Sequence, residues 1–438
     1  MSDCLDLAPQ PLAHIIPRSE HSISRRLMSP RALRVLYRLH EAGFRACLVG
    51  GGVRDLLLGL EPKDFDIATD AHPEDVRKLF RNCRLVGRRF RLAHIHFGDE
   101  IIEVATFRAQ HDADDADIGV ELDQHGRIIS DNVFGSIEED ALRRDFTINA
   151  LYYDIADFSV LDYASGMADL QAGVLRLIGD AEQRYREDPV RMLRAVRFVA
   201  KLGFRLAPES EAPIHELGHL LQQAPPARLF DELLKLFMGG QAVQCFELLR
   251  LFGLFRYLFP TTDRCLRSNQ YASARHLLIR AFANTDQRIA EGRPITPAFL
   301  YATLLWGPLQ ALLQQPEFKA RPAGEALQYA CDQVIRDQTR YTALPRRYAL
   351  PMREIWSLQS RFERRSGKRA LAFIQHPRFR AAYDFLVLRA EAGEPVGDLA
   401  RWWTDIQQVD GSARLTTVSP KPRRAPAKMH PPPVPDLL

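Results

Sequence analysis

Leu48-Val-Gly-Gly-Gly-Val-Arg-Asp-Leu-Leu-Leu-Gly-Leu-Glu-Pro-Lys-Asp-Phe-Asp-Ile67 is the stretch on which the reading of this chain turns. Ala46 to Val49 is an apolar run of strand length. Gly50 to Gly52 form a turn that lets backbone approach a ligand, and Val53 to Leu58 are a short helix behind it. A helix start of this kind attracts anions. Past Gly59 and Pro62, Lys63 to Thr69 reads as a second strand, which sets Asp64 and Asp66 on one face because strand side chains alternate. Two neighbouring carboxylates repel each other. A hard divalent cation relieves that repulsion and bridges to phosphates held by Gly50, Gly51 and Arg54.

Taken singly, a glycine turn and an Asp-x-Asp strand are ordinary surface features. Their conjunction with an arginine in one short stretch has few purely structural explanations. The pattern Leu-Val-Gly-Gly-x-Val-Arg-Asp followed by Asp-x-Asp resembles the nucleotidyltransferases that extend RNA 3′ ends without a template. That family contains bacterial poly(A) polymerases and the CCA-adding enzymes of tRNA. The run Arg143-Arg-Asp-Phe-Thr-Ile-Asn-Ala150 is similar to its second motif. The resemblance implies that Arg144 contacts an incoming triphosphate and that Asp145 joins Asp64 and Asp66 in the catalytic centre.

A third constellation lies in Tyr185-Arg-Glu-Asp-Pro-Val-Arg-Met-Leu-Arg-Ala-Val-Arg-Phe198. Asp188 suits an N-cap and Pro189 the first helical position, with Arg191 and Arg194 following along one face. A capped helix with a solvated arginine stripe explains this pattern as well. In the family, however, Glu-Asp-x-x-Arg reads the edge of the incoming base, a carboxylate beside a guanidinium matching adenine's donor and acceptor. The match here is Glu187 to Arg191, which implies that Asp188 and Arg191 select ATP while Arg194 supports the triphosphate. A carboxylate that caps its helix is not free for a base, so Glu187 or water must share the capping.

Leu85 to Phe97 reads as two strands joined through Gly87, with Phe90, Leu92, His94 and His96 on one side. Arg88, Arg89 and Arg91 discourage edge pairing as solvated charges, or form a rail for RNA. Gly87-Arg-Arg-Phe-Arg-Leu-Ala-His94 looks like the signature that separates bacterial poly(A) polymerases from CCA-adding relatives, which favours the former. Glu103 ranks below the aspartate pair as a further carboxylate.

The remaining sequence sets the frame. With 438 residues, 46% of them hydrophobic, the chain is long enough for several domains. A net charge of +4 permits nucleic-acid binding without arguing for it. Six cysteines without paired spacing fit reduced thiols better than disulfides or zinc. The longest apolar stretch, Phe299 to Leu313, is broken by Gly307-Pro308, is too short to span a bilayer, and reads as a buried helix. His215-Glu-Leu-Gly-His219 spells a zinc-hydrolase motif, but Gly218 weakens the helix it needs and no third ligand follows at a recognisable spacing.

The expected fold is α+β: a small polymerase-beta-like nucleotidyltransferase head of sheet and helices, then all-helical neck and body domains. The boundaries are a flexible segment 1–29, the head 30–170, the neck 171–240, the body 241–410 and a disordered basic Pro-rich tail 411–438. Residues 110–131 read as a mobile acidic loop, Ser136 to Glu139 as a capping box, and Asp162 to Leu177 as a turn-rich connector. The expected function is adenylyl transfer from ATP to RNA 3′ ends, with Asp64 and Asp66 holding Mg²⁺, for which Mn²⁺ can substitute. The expected partners are ATP and RNA 3′ ends of mRNA, small RNAs or tRNA, with RNA-decay proteins also in view. No DNA, no transmembrane segment, a monomer and a cytoplasmic location are expected. The alternatives are a CCA-adding enzyme, a non-catalytic RNA-binding protein on the same scaffold, and a zinc hydrolase.

Overall fold

Ala46–Val49 (β2) is buried at every position and lies inside an eight-stranded sheet, paired antiparallel with its neighbours on both sides. The computed structural model describes residues 13–87, 91–109, 120–122, 128–131, 133–268, 272–365 and 368–408. The other strands are β1 (His14–Ile16), β3 (Asp66–Thr69), β4 (Cys83–Val86), β5 (Leu92–Phe97), β6 (Glu100–Thr106), β7 (Val120–Leu122), β8 (Ile128–Asp131), β9 (Leu151–Asp154) and β10 (Val160–Asp162). The large sheet runs β1-β10-β9-β2-β3-β6-β5-β4, while β7 and β8 form a separate ribbon. Only the β3–β6 pair of the large sheet is parallel. A parallel neighbour requires a crossover, here through α3 (Pro73–Leu79), β4 and β5.

Alternation along the strands divides the core into two layers. Cys47, Val49, Ala68, Tyr152 and Leu161 pack against Ile137 and Ala141 of α4 (Ile137–Leu142), together with Phe107, Tyr163 and Ile178. The opposite face meets α1 (Pro30–Glu41), whose Val35, Leu36 and Leu39 are fully buried. Ser29 opens α1, its hydroxyl accepting from the backbone N–H of Arg31 and Ala32. Ser136 and Glu139 form the expected capping box at the start of α4.

Several expectations need correction. Residues 13–29 are not a flexible segment, because β1 pairs with β10 and two single 3-10 turns follow it, at Arg18–Glu20 and Arg25–Leu27. Residues 1–12 lie outside the described residues. The second strand begins at Asp66, not Lys63, so Asp64 precedes it. The acidic loop contains the β7–β8 ribbon, and the connector contains a helix, Gly166–Ala172 (α5). The long apolar stretch is two buried helices meeting at Leu305. The tail 411–438 lies outside the described residues.

The chain forms two compact units, one of residues 1–236 with 244–257 and the other of 237–243 with 258–438. The first adds to the sheet the helices α6 (Ala181–Glu187), α7 (Val190–Leu202), α8 (Pro208–Leu217) and α9 (Pro226–Phe237), the last residue of which belongs to the second unit. The second is helical among its described residues. Its core includes a tight aromatic cluster of Phe362, Phe373, Phe379 and Trp403, where the Trp403 indole donates to the Phe362 carbonyl at 2.8 Å. No described helix is long and apolar enough to cross a membrane.

Candidate active site

The glycine turn is built by the end of β2 and the start of Gly51–Leu57 (α2). Gly50 takes φ 73°, a conformation that side chains other than glycine strain to adopt. A Cβ on Gly52 would stand 3.4 Å from the backbone oxygen of Asp64, so the bare α-carbon lets the Asp64 segment lie against α2. Arg54 is buried rather than open to a ligand. Its Nε and Nη2 donate to Asp55 Oδ1 at 2.8 and 2.6 Å, and its Nη1 donates to Asn149 Oδ1 at 2.6 Å. Arg54 therefore ties the glycine turn to the second motif from inside.

Among the described residues neither Asp64 nor Asp66 has a hydrogen-bond or ion-pair partner for its carboxylate. Continuing the β3–β6 register, which pairs Ile67 with Val104, sets Glu103 beside Asp66. Glu103 in turn faces His94 across β5–β6, Oε1 to Nε2 at 3.6 Å. The Asp66 carboxyl is pushed up to about 6 by burial, by Glu103 and by Asp64, with Arg144 opposing. Solvent still reaches Asp66 at the start of β3 and screens these charges in part. Unpartnered carboxylates that crowd one another suit a divalent cation. Among the described residues no group of three or more His, Cys, Asp or Glu could hold a metal alone. A hard cation with few protein ligands completes its shell with phosphate oxygens and water, so the donor set fits magnesium chemistry.

Arg144 follows α4 and is cradled by Asp140 and Tyr152. Its Nη2 lies 2.9 Å from Asp140 Oδ2, its Nε donates to the Tyr152 hydroxyl at 2.8 Å, and that hydroxyl donates to Asp140 Oδ2 at 2.6 Å. Burial works against the guanidinium's charge, but Tyr152 and Asp140 outweigh it and keep it protonated. Among the described residues its Nη1 makes no hydrogen bond, and it stands 3.6 Å from where a Cβ on Gly50 would be. Arg144 thus presents one free N–H edge to the glycine turn. Asp145, expected beside the aspartate pair, is turned to Arg194 and to Asn149, whose Nδ2 donates at 3.2 Å.

The cationic face of α7 is an anchoring row. Arg194 Nε donates to Asp145 at 2.7 Å, Arg197 to Glu232 at 2.6 Å and Lys201 to Asp55 at 3.1 Å. Arg194, expected at the triphosphate, is therefore engaged with Asp145. Helix α7 begins one residue later than expected, with Pro189 at the N-cap. Asp188 Oδ1 accepts from the Val190 N–H at 3.2 Å, and its Oδ2 accepts from Arg228 at 2.8 Å. Arg191 donates to Glu187 and to the Arg184 carbonyl, at 2.9 and 2.7 Å. The carboxylate and the guanidinium expected to read a base together thus hold different partners. Arg228 escaped the sequence reading, as did the Asp140–Tyr152 cradle. The only sequence signal for Arg228 is its position beside Pro225-Pro226 at a helix start.

Arg91 pairs with Glu74 at 2.7 Å, while Arg88 and Arg89 lie outside the described residues. The zinc-hydrolase motif does not assemble. His219 Nδ1 engages the Glu216 carbonyl at 2.8 Å, and His215 lies edge-on to Phe252.

Residues 46–176 match the poly A polymerase head domain, 203–266 the probable RNA and SrmB-binding site of polymerase A, and 310–432 the polymerase A arginine-rich C-terminus. Poly(A) polymerase I of Salmonella typhimurium is 50% identical over 432 residues, covering 97% of this chain and 93% of the relative. A CCA-adding enzyme of Lactobacillus helveticus is 37% identical over 218 residues, half of this chain and 52% of the relative. The Thermotoga maritima CCA-adding enzyme complexed with tRNA shares the fold, with a TM-score of 0.59 at 19% identity over 94% of this chain and 91% of that one.

Proposed function

This chain belongs to the poly(A) polymerase family, and from that premise we propose that Asp64 and Asp66 are its catalytic carboxylates and that Arg144 receives the triphosphate. The protein is a polynucleotide adenylyltransferase, adding AMP from ATP to RNA 3′ ends without a template and releasing pyrophosphate. The observation that carries this reading is the extent of the likeness. Identity to a poly(A) polymerase I runs through nearly the whole of both chains, whereas identity to a CCA-adding enzyme covers half.

Each residue's part follows from its surroundings. Gly50 and Gly51 leave room for phosphate oxygens against backbone N–H groups. The free Nη1 of Arg144 aims at that same room, and its cradle fixes it there before the ligand arrives, which lowers the ordering cost of binding. Arg54 acts from behind by holding Asn149, and Asp145 acts by fastening Arg194, and with it α7, to the head. Asp188 and Arg191 are poised at the start of α7 for base selection, with Arg228 and Glu187 as the partners they exchange for adenine. Mg²⁺, or Mn²⁺ in its place, would be held by Asp64 and Asp66, where it would lower the pKa of the attacking 3′-hydroxyl and neutralise the leaving group. The remaining work of the chain is positioning and electrostatics, as phosphoryl transfer requires.

The substrates are mRNA and small-RNA 3′ ends, with RNA-decay proteins as partners, and the protein acts as a cytoplasmic monomer. The five free, buried cysteines among the described residues support a reducing compartment. The test is extension of a labelled unstructured RNA with each nucleoside triphosphate and Mg²⁺ in turn. Long products with ATP alone are expected. Addition limited to C, C and A on a tRNA lacking its terminus would transfer the reading to CCA addition.

A further inference from the structure

A concavity of about 360 Å³ opens among Arg18, Ser24, Arg25, Arg26 and Tyr153. It lies on the opposite sheet face from Asp66 and Arg144. Tyr153 alternates with Tyr152 along β9, and it is Tyr152 that belongs to the Arg144 side. The arginines of the catalytic side, Arg54, Arg144, Arg194 and Arg197, each have a carboxylate partner. Among the described residues none of Arg18, Arg25 and Arg26 pairs with an acid. Arg18 donates to the His21 carbonyl at 2.9 Å, Arg25 to the Tyr37 hydroxyl, and the Arg26 guanidinium to nothing among the described residues.

Buried residues stand behind the lining. His21 is buried, with Nε2 against the Phe158 carbonyl at 2.9 Å and Nδ1 accepting from the Ile23 N–H at 3.3 Å, and Ile23 is fully buried. Phe158 adopts φ 64°, an uncommon conformation for an aromatic residue, and so presents its ring to Arg25, whose guanidinium carbon lies 4.2 Å from the ring centre. Tyr153 is 1% exposed, and among the described residues its hydroxyl, which lines the cavity, has no hydrogen-bond partner. That hydroxyl is open to a ligand in the cavity, to which it can both donate and accept. Three like charges brought together around it repel, unless an anion sits between them.

We propose that this concavity is a second anion site, separate from the catalytic centre, that takes a phosphate-bearing ligand. Guanidinium groups with two neighbouring hydroxyls, Ser24 and Tyr153, are phosphate-binding chemistry. The compact shape fits one oligophosphate group rather than a long strand, which tracks a groove lined with stacking aromatics.

The test is calorimetric titration of the full chain with tripolyphosphate in the absence of divalent cations. The wild type binds, and Arg18→Gln/Arg26→Gln weakens the affinity at least ten-fold, while Arg18→Lys/Arg26→Lys restores part of it. Arg144→Ala, which removes the cation at the glycine turn, leaves this titration in place. The rate of ATP incorporation in the Gln double variant stays within two-fold of wild type, which also shows that the variant folds. Competition by ADP but not by a 5′-hydroxyl RNA oligonucleotide identifies a free oligophosphate as the source, and competition by the RNA identifies its phosphodiesters. Equal affinity in the wild type and the Gln variant, or loss of the titration in Arg144→Ala, overturns the proposal.

Discussion

The guanidinium of Arg194 grips the carboxylate of Asp145 across 49 positions of sequence, Nε to Oδ2 at 2.7 Å. The pair fastens the long helix α7 to the segment that carries Arg144. Burial would raise the Asp145 carboxyl, but Arg194, Asn149 and the Phe146 N–H outweigh it and hold it below the usual carboxylate range. Removing Arg194 leaves a mostly buried charge without its partner, so Arg194→Ala is expected to destabilise by about 3 kcal/mol. Because the folded pKa is depressed, the contribution of the pair is present above the ordinary carboxylate pKa and is lost as pH falls through the lower, folded value. Urea unfolding of Arg194→Ala and Arg194→Ala/Asp145→Asn between pH 3 and 7 checks this. Equal stability of the single variant and the wild type at pH 7 contradicts it.

Asp64→Ala or Asp66→Ala is expected to abolish ATP incorporation with little change in RNA affinity. Asp66→Asn carries a second signature. Its carboxyl is raised from 3.8 to about 6, so the folded state holds its proton more tightly and stability falls as pH rises through that window. Without divalent cation, Asp66→Asn should therefore be more stable than wild type above pH 6, by under about 1 kcal/mol given solvent screening. The gain should vanish below pH 4. Thermal unfolding with and without Mg²⁺ measures it, and a destabilised Asn variant at pH 7 would contradict the crowding of carboxylates.

Base choice should depend on Arg228 as well as on Asp188 and Arg191. Arg191→Ala is expected to lose discrimination against the other nucleoside triphosphates. Arg228→Ala frees Asp188 Oδ2 and should change the KM for ATP more than the turnover rate. Incorporation kinetics with the four nucleotides separate the two effects. Unchanged ATP preference in Arg191→Ala would remove the protein-side reading of the base.

Gly166 is a packing requirement outside the recognisable motifs. A Cβ there would stand 2.3 Å from the Thr147 carbonyl oxygen. Gly166→Ala must displace the Thr147–Asn149 turn and is expected to cost about 2 kcal/mol. Because Asn149 is held by Arg54, activity should fall along with stability. A fully stable and active variant would show that the α5 contact gives way freely.

The local devices were legible in the sequence. Ser136 as a cap, the apolar β2 and the glycine turn are decided by neighbours a few residues away and appear where expected, while the arginine-bearing α7 starts one residue late. Residues 13–29 were misread because a short strand such as β1 has no signal apart from its partner β10, more than a hundred residues distant. Asp64 was placed in a strand for a similar reason, since the start of β3 is set by where pairing with β2 begins.

What the chain's sequence determined by itself was the family, the α+β order of elements and the identity of the groups that carry charge, because each is written in contiguous residues. Only the tertiary structure decided who pairs with whom: Asp145 with Arg194, Asp188 with Arg228, Arg54 with Asn149, and Asp66 beside Glu103. Charges act through distance in space. In this protein the distances that matter are set by a parallel strand crossover and a docked helix, which no local stretch of sequence encodes.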